Sequence, residues 1–309
     1  MTIHDQRLTR VYLAVPAHRS EMVAKAAVSA ADAVFMDLED AVPPSEKNAA
    51  LDAAVRSLSS LDWGKKLVAV RLNGIDSPFI EREIRALGAL PRLDSVIVPK
   101  AERASDIAGI ADRLRAAAPD RARPMELELL IETALGLVNV DLLAGSHASV
   151  GALHLGVGDF AASIGARSSE IGASPEGYRH LGSAQSGYPS VPLDLFAYPM
   201  MRVLVAARAF GLRAVDGPCG AFRDATLTAS SALKAAAMGF DGKQVIHPSQ
   251  IEPTLRAFRP SDDELAHARR VVEAMGEAEA LGKGAATLDG KMIDYANVRM
   301  ARRIIKLGS

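Results

Sequence analysis

The chain has 309 residues, of which 49% are hydrophobic and 24% are charged, and its formal net charge is −1. This length suits a barrel of about 250 residues with an additional segment. The balanced composition argues against global disorder, and the lack of a strongly basic block argues against nucleic acid as the main partner. The single cysteine, Cys219, excludes an intramolecular disulfide framework. With no signal-like or membrane-spanning apolar stretch, we expect a cytoplasmic protein that does not bind membranes.

Short apolar segments alternate with longer helical segments along most of the chain, which is typical of parallel strands joined by helices. The predicted strands are residues 11–15, 33–38, 67–72, 95–99, 127–132, 151–156, 213–217 and 243–247. Ala-rich stretches lie between them, and Ser20, Ser45 and Ser105 are candidate N-caps. Eight such units predict an α/β fold, a closed (β/α)₈ TIM barrel. A doubly wound open sheet is the alternative, although no GxGxxG follows the first strand.

Two stretches interrupt this alternation. Residues 166–194 form a Gly-, Pro- and Ser-rich connection after the sixth strand, and long ordered loops are usually functional. Residues 261–309 contain a helical segment, a glycine-rich turn and a last basic helix that barrel closure does not require. We therefore divide the chain into a catalytic barrel, residues 1–260, and a C-terminal helical extension, residues 261–309.

The active site of such a barrel lies at the carboxyl ends of the strands, where this chain has mostly acidic side chains. The polar residues there are Asp37, Glu39, Asp40, Arg71, Asn73, Lys100, Glu132, Asp159, Asp216 and His247. Glu132 and Asp159 end neighbouring strands about 4.8 Å apart, and two ionised carboxylates repel unless a cation lies between them. Oxygen ligands without Cys or His favour Mg²⁺ over zinc. The alternative is that both carboxylates cap the helices that follow.

Arg71 supplies a fixed cation at the same end of the barrel. It could bind a carboxylate or stabilise an oxyanion, or form a structural ion pair with Asp37 or Glu39. Alternation along the strand places Asp37 and Glu39 on one face and Asp40 on the other. One pair is expected to orient Arg71 or bond metal-bound waters, with a solvated turn as the alternative.

Three further positions carry weaker signals. His18 and Arg19 follow the first strand and could contact a phosphorylated cofactor, although a capping or surface role fits equally well. His247 lies beside a proline, where histidine is more often structural than catalytic. Cys219 has no evident base nearby and is expected to be a small buried residue.

Nine segments together resemble the citrate lyase β-subunit-like branch of the HpcH/HpaI aldolase superfamily, which includes malyl-CoA and citramalyl-CoA lyases. They are LAVPAHR, ADAVFMDLEDAVPPSEK, VRLNG, VIVPKAE, LLIETALGLVN, GVGDFAASIGA, GLRAVDGP, GFDGKQVIHPSQI and GKMID. They run in family order from residue 11 to about residue 305, so the resemblance covers nearly the whole chain. Each segment is moderately specific alone, and together they are highly specific.

The resemblance implies roles for particular residues. Glu132 and Asp159 would hold Mg²⁺, with Mn²⁺ as a substitute, and Arg71 would bind the substrate carbonyl oxygens. The family's acid/base aspartate falls on Asp294 in the GKMID segment. The remaining implied contacts are Glu39 and Asp40, which support the metal's waters and Arg71, Arg19 and Lys25 near the CoA phosphates, and Asp37 and His247 at the substrate.

The resemblance also implies an activity and an assembly. The activity is cleavage of a short 3-hydroxyacyl-CoA, or its formation by Claisen-type condensation, giving acetyl-CoA or propionyl-CoA and glyoxylate or pyruvate. The C-terminal segment would close over a neighbouring subunit's barrel in a homotrimer or hexamer.

The segments leave the substrate undecided. DGPCGAF is closer to malyl-CoA lyases, whereas GDFAASIGA and GKQVIHPSQI are closer to citramalyl-CoA lyases, and PAHRS replaces the family's commoner PGNR-like turn. The alternatives are a malyl-CoA thioesterase, a CoA-independent 2-oxo-acid aldolase, a citrate lyase β-subunit working with a carrier protein, and a non-catalytic binding barrel.

Overall fold

The computed structural model describes residues 7–182, 187 and 189–308. Its strands are β1 Val11–Pro16, β2 Ala33–Asp37, β3 Leu67–Arg71, β4 Ser95–Val98, β5 Glu126–Ile131, β6 Val150–Leu155, β7 Arg179–His180, β8 Val191–Pro192, β9 Arg213–Asp216, β10 Gly242–Val245, β11 Ala286–Leu288 and β12 Lys291–Ile293. Strands β1 to β6, β9 and β10 form a closed parallel barrel in which β10 pairs back to β1.

Helices follow the barrel strands and two more lie in the C-terminal region. They are α1 Ser20–Ala27, α2 Lys47–Ser60, α3 Ile80–Gly88, α4 Ala104–Ala117, α5 Ala134–Val138, α6 Val140–Ala144, α7 Val157–Ser163, α8 Ala197–Ala209, α9 Ala225–Met238, α10 Ile251–Phe258, α11 Asp262–Ala280 and α12 Tyr295–Leu307. Short 3-10 turns cover Pro44–Glu46 and Pro248–Gln250. Among the helices of the described residues, none combines the length and the apolar character that a membrane crossing requires.

The predicted (β/α)₈ barrel is confirmed, because every predicted strand has a counterpart and the pairing of β1 with β10 excludes an open sheet. The predicted serine N-caps are wrong. Ser20 is the first residue of α1, whose N-cap is Arg19, and Ser105 lies inside α4, beyond the N-cap Arg103. Ser45 lies within a 3-10 turn before α2. Each helix therefore begins at a different residue from the one that serine preference indicated.

Side chains on alternate strand residues fill the barrel interior. The buried apolar cluster there consists of Tyr12, Ala33, Phe35, Leu67, Ala69, Ile97, Leu130 and Val215. Because side chains alternate across a strand, the position two residues after Phe35, Ala69 or Leu130 points to the same interior. Those next positions are occupied by Asp37, Arg71 and Glu132. The strand period thus places three charged side chains on top of the core at the carboxyl end of the barrel.

A buried polar layer lies within the barrel, below the apolar cluster's upper members. Glu128 accepts a hydrogen bond from the Ser95 hydroxyl at 2.8 Å and lies 2.6 Å from His154 Nε2. Arg213 Nη2 donates to Glu128 Oε1 at 3.0 Å, and Gln244 Nε2 lies 2.9 Å from His154 Nδ1. Burial raises the pKa of Glu128, but the contacts with His154 and Arg213 outweigh it and lower that pKa overall. The layer therefore keeps a charged pair inside the barrel through mutual hydrogen bonds.

The chain divides into two compact units, Met1–Thr254 and Leu255–Ser309. The division falls within α10, whereas the sequence placed the domain boundary after residue 260. In the second unit, α11 and α12 pack around a small core with the β11–β12 hairpin. This core consists of Ala268, Val271, Met275, Ile293, Val298 and Ala301. A capping box between Ser261 and Glu264 begins α11 and stabilises its first turn.

Candidate active site

Arg71 is held at the end of β3 by Asp37 at the end of β2. Their pairing is bidentate, with Nε donating to Oδ1 at 2.7 Å and Nη2 donating to Oδ2 at 2.6 Å. The backbone N–H groups of Glu39 and Ala41 donate to the same two oxygens. Burial opposes the charge of Arg71, but the bonds to Asp37 outweigh it and raise its pKa. With four donors on its carboxylate, Asp37 orients Arg71, so both sequence interpretations of Arg71 remain compatible with this geometry.

Glu39 bridges two cations. Its Oε1 accepts a hydrogen bond from Lys100 Nζ at 2.5 Å, and its Oε2 lies 3.2 Å from Arg71 Nη1. Oε2 is buried and has no hydrogen-bond partner among the described residues. Burial raises the pKa of Glu39, and the Arg71 and Lys100 cations offset this only in part. The carboxylate therefore offers an unsatisfied acceptor at the mouth of the barrel, which a water molecule of a hydrated ion would satisfy.

Lys100 follows β4 and lies among the carboxylates. Besides Glu39, its Nζ lies 3.3 Å from Asp159 Oδ2 and 3.6 Å from Asp40 Oδ2. Asp40 is largely exposed, so its pairing contributes little energy. Lys100 also has a left-handed backbone, with φ of 47°, which is uncommon outside glycine.

Glu132 directly follows β5 and is buried. Its Oε1 accepts a hydrogen bond from the backbone N–H of Lys100 at 2.9 Å. Burial raises the pKa of Glu132 to about 8, although Arg71 and this N–H favour the ionised form. Gly156, after β6, makes room for the side chain, because a Cβ there would lie 2.4 Å from Glu132 Cβ and 2.5 Å from Oε2. A cation beside Glu132 would stabilise the carboxylate that burial penalises.

Asp159 lies in the first turn of α7, next to β6, the neighbour of β5 in the barrel. In the described part of the chain, no three His, Cys, Asp or Glu side chains converge to hold a metal ion by themselves. A metal held by Glu132 and Asp159 would need water or substrate oxygens as well, which is the coordination that Mg²⁺ commonly adopts. The buried Glu132 and the unsatisfied Glu39 Oε2 both fit such a hydrated hard ion. The residues present therefore fit magnesium better than zinc.

The remaining predicted contacts lie apart from this cluster. Arg19 and Lys25 lie on α1, both exposed, and neither side chain has a hydrogen bond or ion pair with any described residue. His247 is the N-cap of a 3-10 turn, where Nδ1 accepts a hydrogen bond from the Ser249 N–H at 3.2 Å. Its ring lies 4.9 Å from the Phe222 ring. These contacts give His247 a structural explanation, and its contact with substrate stays a prediction.

Asp294 belongs to the second compact unit, where it is the N-cap of α12. The backbone N–H groups of Ala296 and Asn297 donate to its Oδ1 at 2.7 and 3.3 Å. The other oxygen, Oδ2, has no hydrogen-bond partner among the residues that the structure describes. Asp294 thus has a capping role and also one oxygen available to a proton, and its catalytic role stays a prediction.

Sequence reasoning missed several residues that support the site. Lys47 in α2 donates to the carbonyls of Leu38 and Glu39 at 2.7 and 2.6 Å, fixing the turn after β2. Glu83 in α3 is buried and accepts bonds from the backbone and side chain of Asn73. A signal for Glu83 was present, since it lies on the apolar face of α3 with Ile80.

Two further supporting residues lie at the β9 and β10 ends of the barrel. Gln250 is buried and joins the ends of both strands, donating to the Cys219 carbonyl at 2.8 Å and accepting from the Ile246 N–H at 3.0 Å. Asp216 is buried in an ion pair with Lys243 at 2.6 Å, which explains that carboxylate without a catalytic role.

Comparisons with known proteins agree with this arrangement. The HpcH/HpaI aldolase/citrate lyase family model matches residues 10–248. An L-malyl-CoA/beta-methylmalyl-CoA lyase of Cereibacter sphaeroides is 36% identical, over 97% of this chain and 94% of the relative. A (3S)-malyl-CoA thioesterase of the same species is 32% identical, over 98% and 95%. The crystal structure of CitE from Mycobacterium tuberculosis with magnesium, acetoacetate and coenzyme A is 31% identical, covers 98% of this chain and 99% of its own, and has a TM-score of 0.76.

A closed barrel with a fixed arginine and buried carboxylates at its mouth, in this company of relatives, defines a carbon–carbon lyase. The resemblance in the nine sequence segments is confirmed. The chain belongs to the HpcH/HpaI aldolase/citrate lyase family.

Proposed function

We propose that the chain is a Mg²⁺-dependent lyase that cleaves a short 3-hydroxyacyl-CoA of the malyl type into an acyl-CoA and a 2-oxo acid. The observation that carries the proposal is the mouth of the barrel, where the fixed Arg71 lies beside the buried carboxylate of Glu132. Relatives named as malyl-CoA/beta-methylmalyl-CoA lyases support glyoxylate as the 2-oxo acid, with acetyl-CoA or propionyl-CoA as the other product. Citramalyl-CoA, which would give pyruvate, is the substrate to test beside them.

Glu132 and Asp159 would hold the ion, which Mn²⁺ could replace. The CitE structure that contains magnesium supports this assignment. When bound, the ion supplies a Lewis acid that polarises the carbonyl of the 2-oxo acid. Glu39 and Asp40 would bind the ion's water molecules through oxygens that the protein leaves unsatisfied or exposed.

Arg71 would bind the thioester carbonyl oxygen and stabilise the negative charge that develops on it as the carbon–carbon bond breaks. Asp37 fixes the guanidinium through Nε and Nη2, so the cation is oriented before the substrate binds. Preorganisation of this kind lowers the reorganisation that the transition state requires.

Asp294 would handle the proton at the α-carbon of the acyl-CoA. In cleavage it returns the proton to that carbon, and in condensation it removes it. We propose that it acts on the barrel of a neighbouring copy in a homotrimer or hexamer, and that closure of the C-terminal unit excludes water.

Arg19 and Lys25 would bind the phosphates of CoA, since both are exposed cations without partners in the described chain. The CoA-bound structure of the related CitE supports a CoA thioester as the substrate. A cytoplasmic location belongs to the same proposal and is supported by a CoA substrate and a single free cysteine.

The purified protein should be assayed with malyl-CoA, beta-methylmalyl-CoA and citramalyl-CoA, with and without Mg²⁺. A lyase releases a 2-oxo acid and an acyl-CoA without a free thiol. A thioesterase, the activity named for one relative, releases free CoA thiol and no 2-oxo acid. The proposal predicts 2-oxo acid formation that EDTA abolishes. Free thiol formation at the same rate, without any 2-oxo acid, would show that the thioesterase alternative is correct.

A further inference from the structure

Lys100 contacts both of the residues proposed as metal ligands, each through a different part of the residue. Its backbone N–H donates to Glu132 Oε1 at 2.9 Å, and its Nζ lies 3.3 Å from Asp159 Oδ2. Both contacts are made in the left-handed backbone conformation with φ of 47°. A lysine is rarely kept in this conformation unless the surrounding structure holds it there. One strained residue thus joins the carboxylates of β5 and α7.

The two contacts have opposite consequences for a divalent cation. The backbone N–H helps to orient Glu132 and carries no net charge. The ammonium, in contrast, lies among Glu39, Asp40 and Asp159 at distances of 2.5, 3.6 and 3.3 Å. A metal ion bonded to Asp159 at about 2.1 Å would lie close to this ammonium and repel it.

We propose that Lys100 is the internal counter-ion of the metal site. Its ammonium neutralises Asp159 and Glu39 in the metal-free protein and competes with Mg²⁺ for Asp159. This inference rests on the proposed function to the extent that Glu132 and Asp159 are the ligands. Lys100 therefore stabilises the metal-free barrel at the expense of metal affinity, and it is a positioning residue rather than a catalytic one.

The test compares Mg²⁺ binding to the full-length protein, without substrate, by isothermal titration calorimetry. Lys100→Met removes the ammonium but keeps the backbone contact with Glu132, so we expect Mg²⁺ to bind about tenfold more tightly. The same variant should unfold at a lower temperature in EDTA, because the carboxylates lose their counter-ion. Lys100→Arg keeps the charge and should bind Mg²⁺ as the wild type does.

Two further variants complete the design. Lys100→Gln is a second neutral variant and should follow Lys100→Met, which protects the test if the methionine variant folds poorly. Lys234→Met is the matched control, since Lys234 forms an ion pair with Asp194 at 2.9 Å away from this site. It removes the same charge and should leave Mg²⁺ affinity unchanged.

The outcomes separate this inference from the proposed function. Wild-type protein that binds Mg²⁺, together with neutral variants that bind it no more tightly, overturns the inference alone and makes Lys100 an aid to metal binding. Absence of binding in the wild type and in both neutral variants overturns the metal assignment as well. Binding that appears only in the neutral variants supports the competition.

Discussion

Gly156 is the residue whose missing side chain is most directly tied to the candidate site. A Cβ at this position would overlap the Glu132 side chain at 2.4 Å, well inside the distance that carbon atoms tolerate. Glu132 is buried and held by the Lys100 N–H, so it has little freedom to move away. The glycine therefore fixes where the carboxylate lies.

We predict that Gly156→Ala weakens Mg²⁺ binding at least about tenfold while the protein stays folded, because displaced ligands lose geometry that the ion requires. Gly158→Ala is the matched control, since a Cβ there meets only Ile171 at 3.9 Å, an ordinary contact. Calorimetric titration of both variants checks this. Equal affinity in the two variants would show that Glu132 has no part in metal binding.

Arg71 allows a second prediction at this scale. Arg71→Lys should lower kcat by roughly 100-fold or more, because a point charge cannot reproduce the guanidinium fork that bonds Asp37 and faces the substrate. Steady-state kinetics with the substrate found by the product assay measures the effect. Near wild-type turnover would return Arg71 to a purely structural ion pair.

At the scale of elements, Asp94 ties the amino-terminal ends of β3 and β4 together. Its Oδ2 accepts the Val68 N–H at 2.9 Å and Arg92 Nη1 at 2.8 Å, and its Oδ1 accepts Arg7 Nη2 at 2.9 Å. Burial alone would raise the pKa of Asp94, but these hydrogen bonds outweigh it and lower the pKa. The ionised carboxylate therefore stabilises the floor of the barrel.

The lowered pKa sets the direction of a pH effect. Ionised Asp94 contributes stability above its unfolded-state pKa of about 3.9, and this contribution is lost as the pH falls through the lower folded-state value. We predict that Asp94→Asn destabilises the fold by about 1–3 kcal/mol at pH 7. The difference from the wild type should shrink as the pH falls below about 4. Thermal unfolding at several pH values measures it.

Asp52→Asn is the control for this prediction. Asp52 pairs with Arg82 at 2.8 Å, but both side chains are about half exposed, so the pair contributes little. A large and pH-dependent loss of stability in Asp52→Asn, equal to that of Asp94→Asn, would contradict the assignment to the barrel floor.

The barrel strands were predictable because each is an apolar run long enough to cross the sheet once. Arg71 and Glu132 were predictable because a charge at the end of such a run is costly unless it has a function. Lys100 was read only as a residue after β4, since its left-handed backbone depends on contacts with Glu132 and Asp159 from other strands. Lys47 was missed because an Ala-rich helix conceals which of its residues reaches back to the β2 turn.

At the scale of the whole molecule, Asp294 is the residue whose role depends on assembly. It lies in the second compact unit, as the N-cap of α12. If it serves a neighbour's barrel, an Asp294→Asn protein has intact barrels and an Arg71→Ala protein has intact C-terminal units. Mixing the two inactive proteins should restore part of the activity, because some mixed sites combine one intact barrel with one intact unit.

Mass measurement must first show that subunits exchange in the mixture. Asp294→Asn alone should bind Mg²⁺ and the CoA ester nearly as the wild type does, while carbon–carbon cleavage is lost. Exchange without any recovered activity would mean that the unit acts on its own barrel or that Asp294 is not the base.

The pairing of β1 with β10 has a consequence for synthesis of the chain on the ribosome. Val11 pairs with Lys243, so the first strand has no partner on that side until almost the whole barrel has been translated. The unit Leu255–Ser309 is translated afterwards, which takes about 3 to 10 s at ~5–20 residues per second. The last barrel strand therefore leaves the ribosome while translation continues, and the barrel can close before the nascent chain is released.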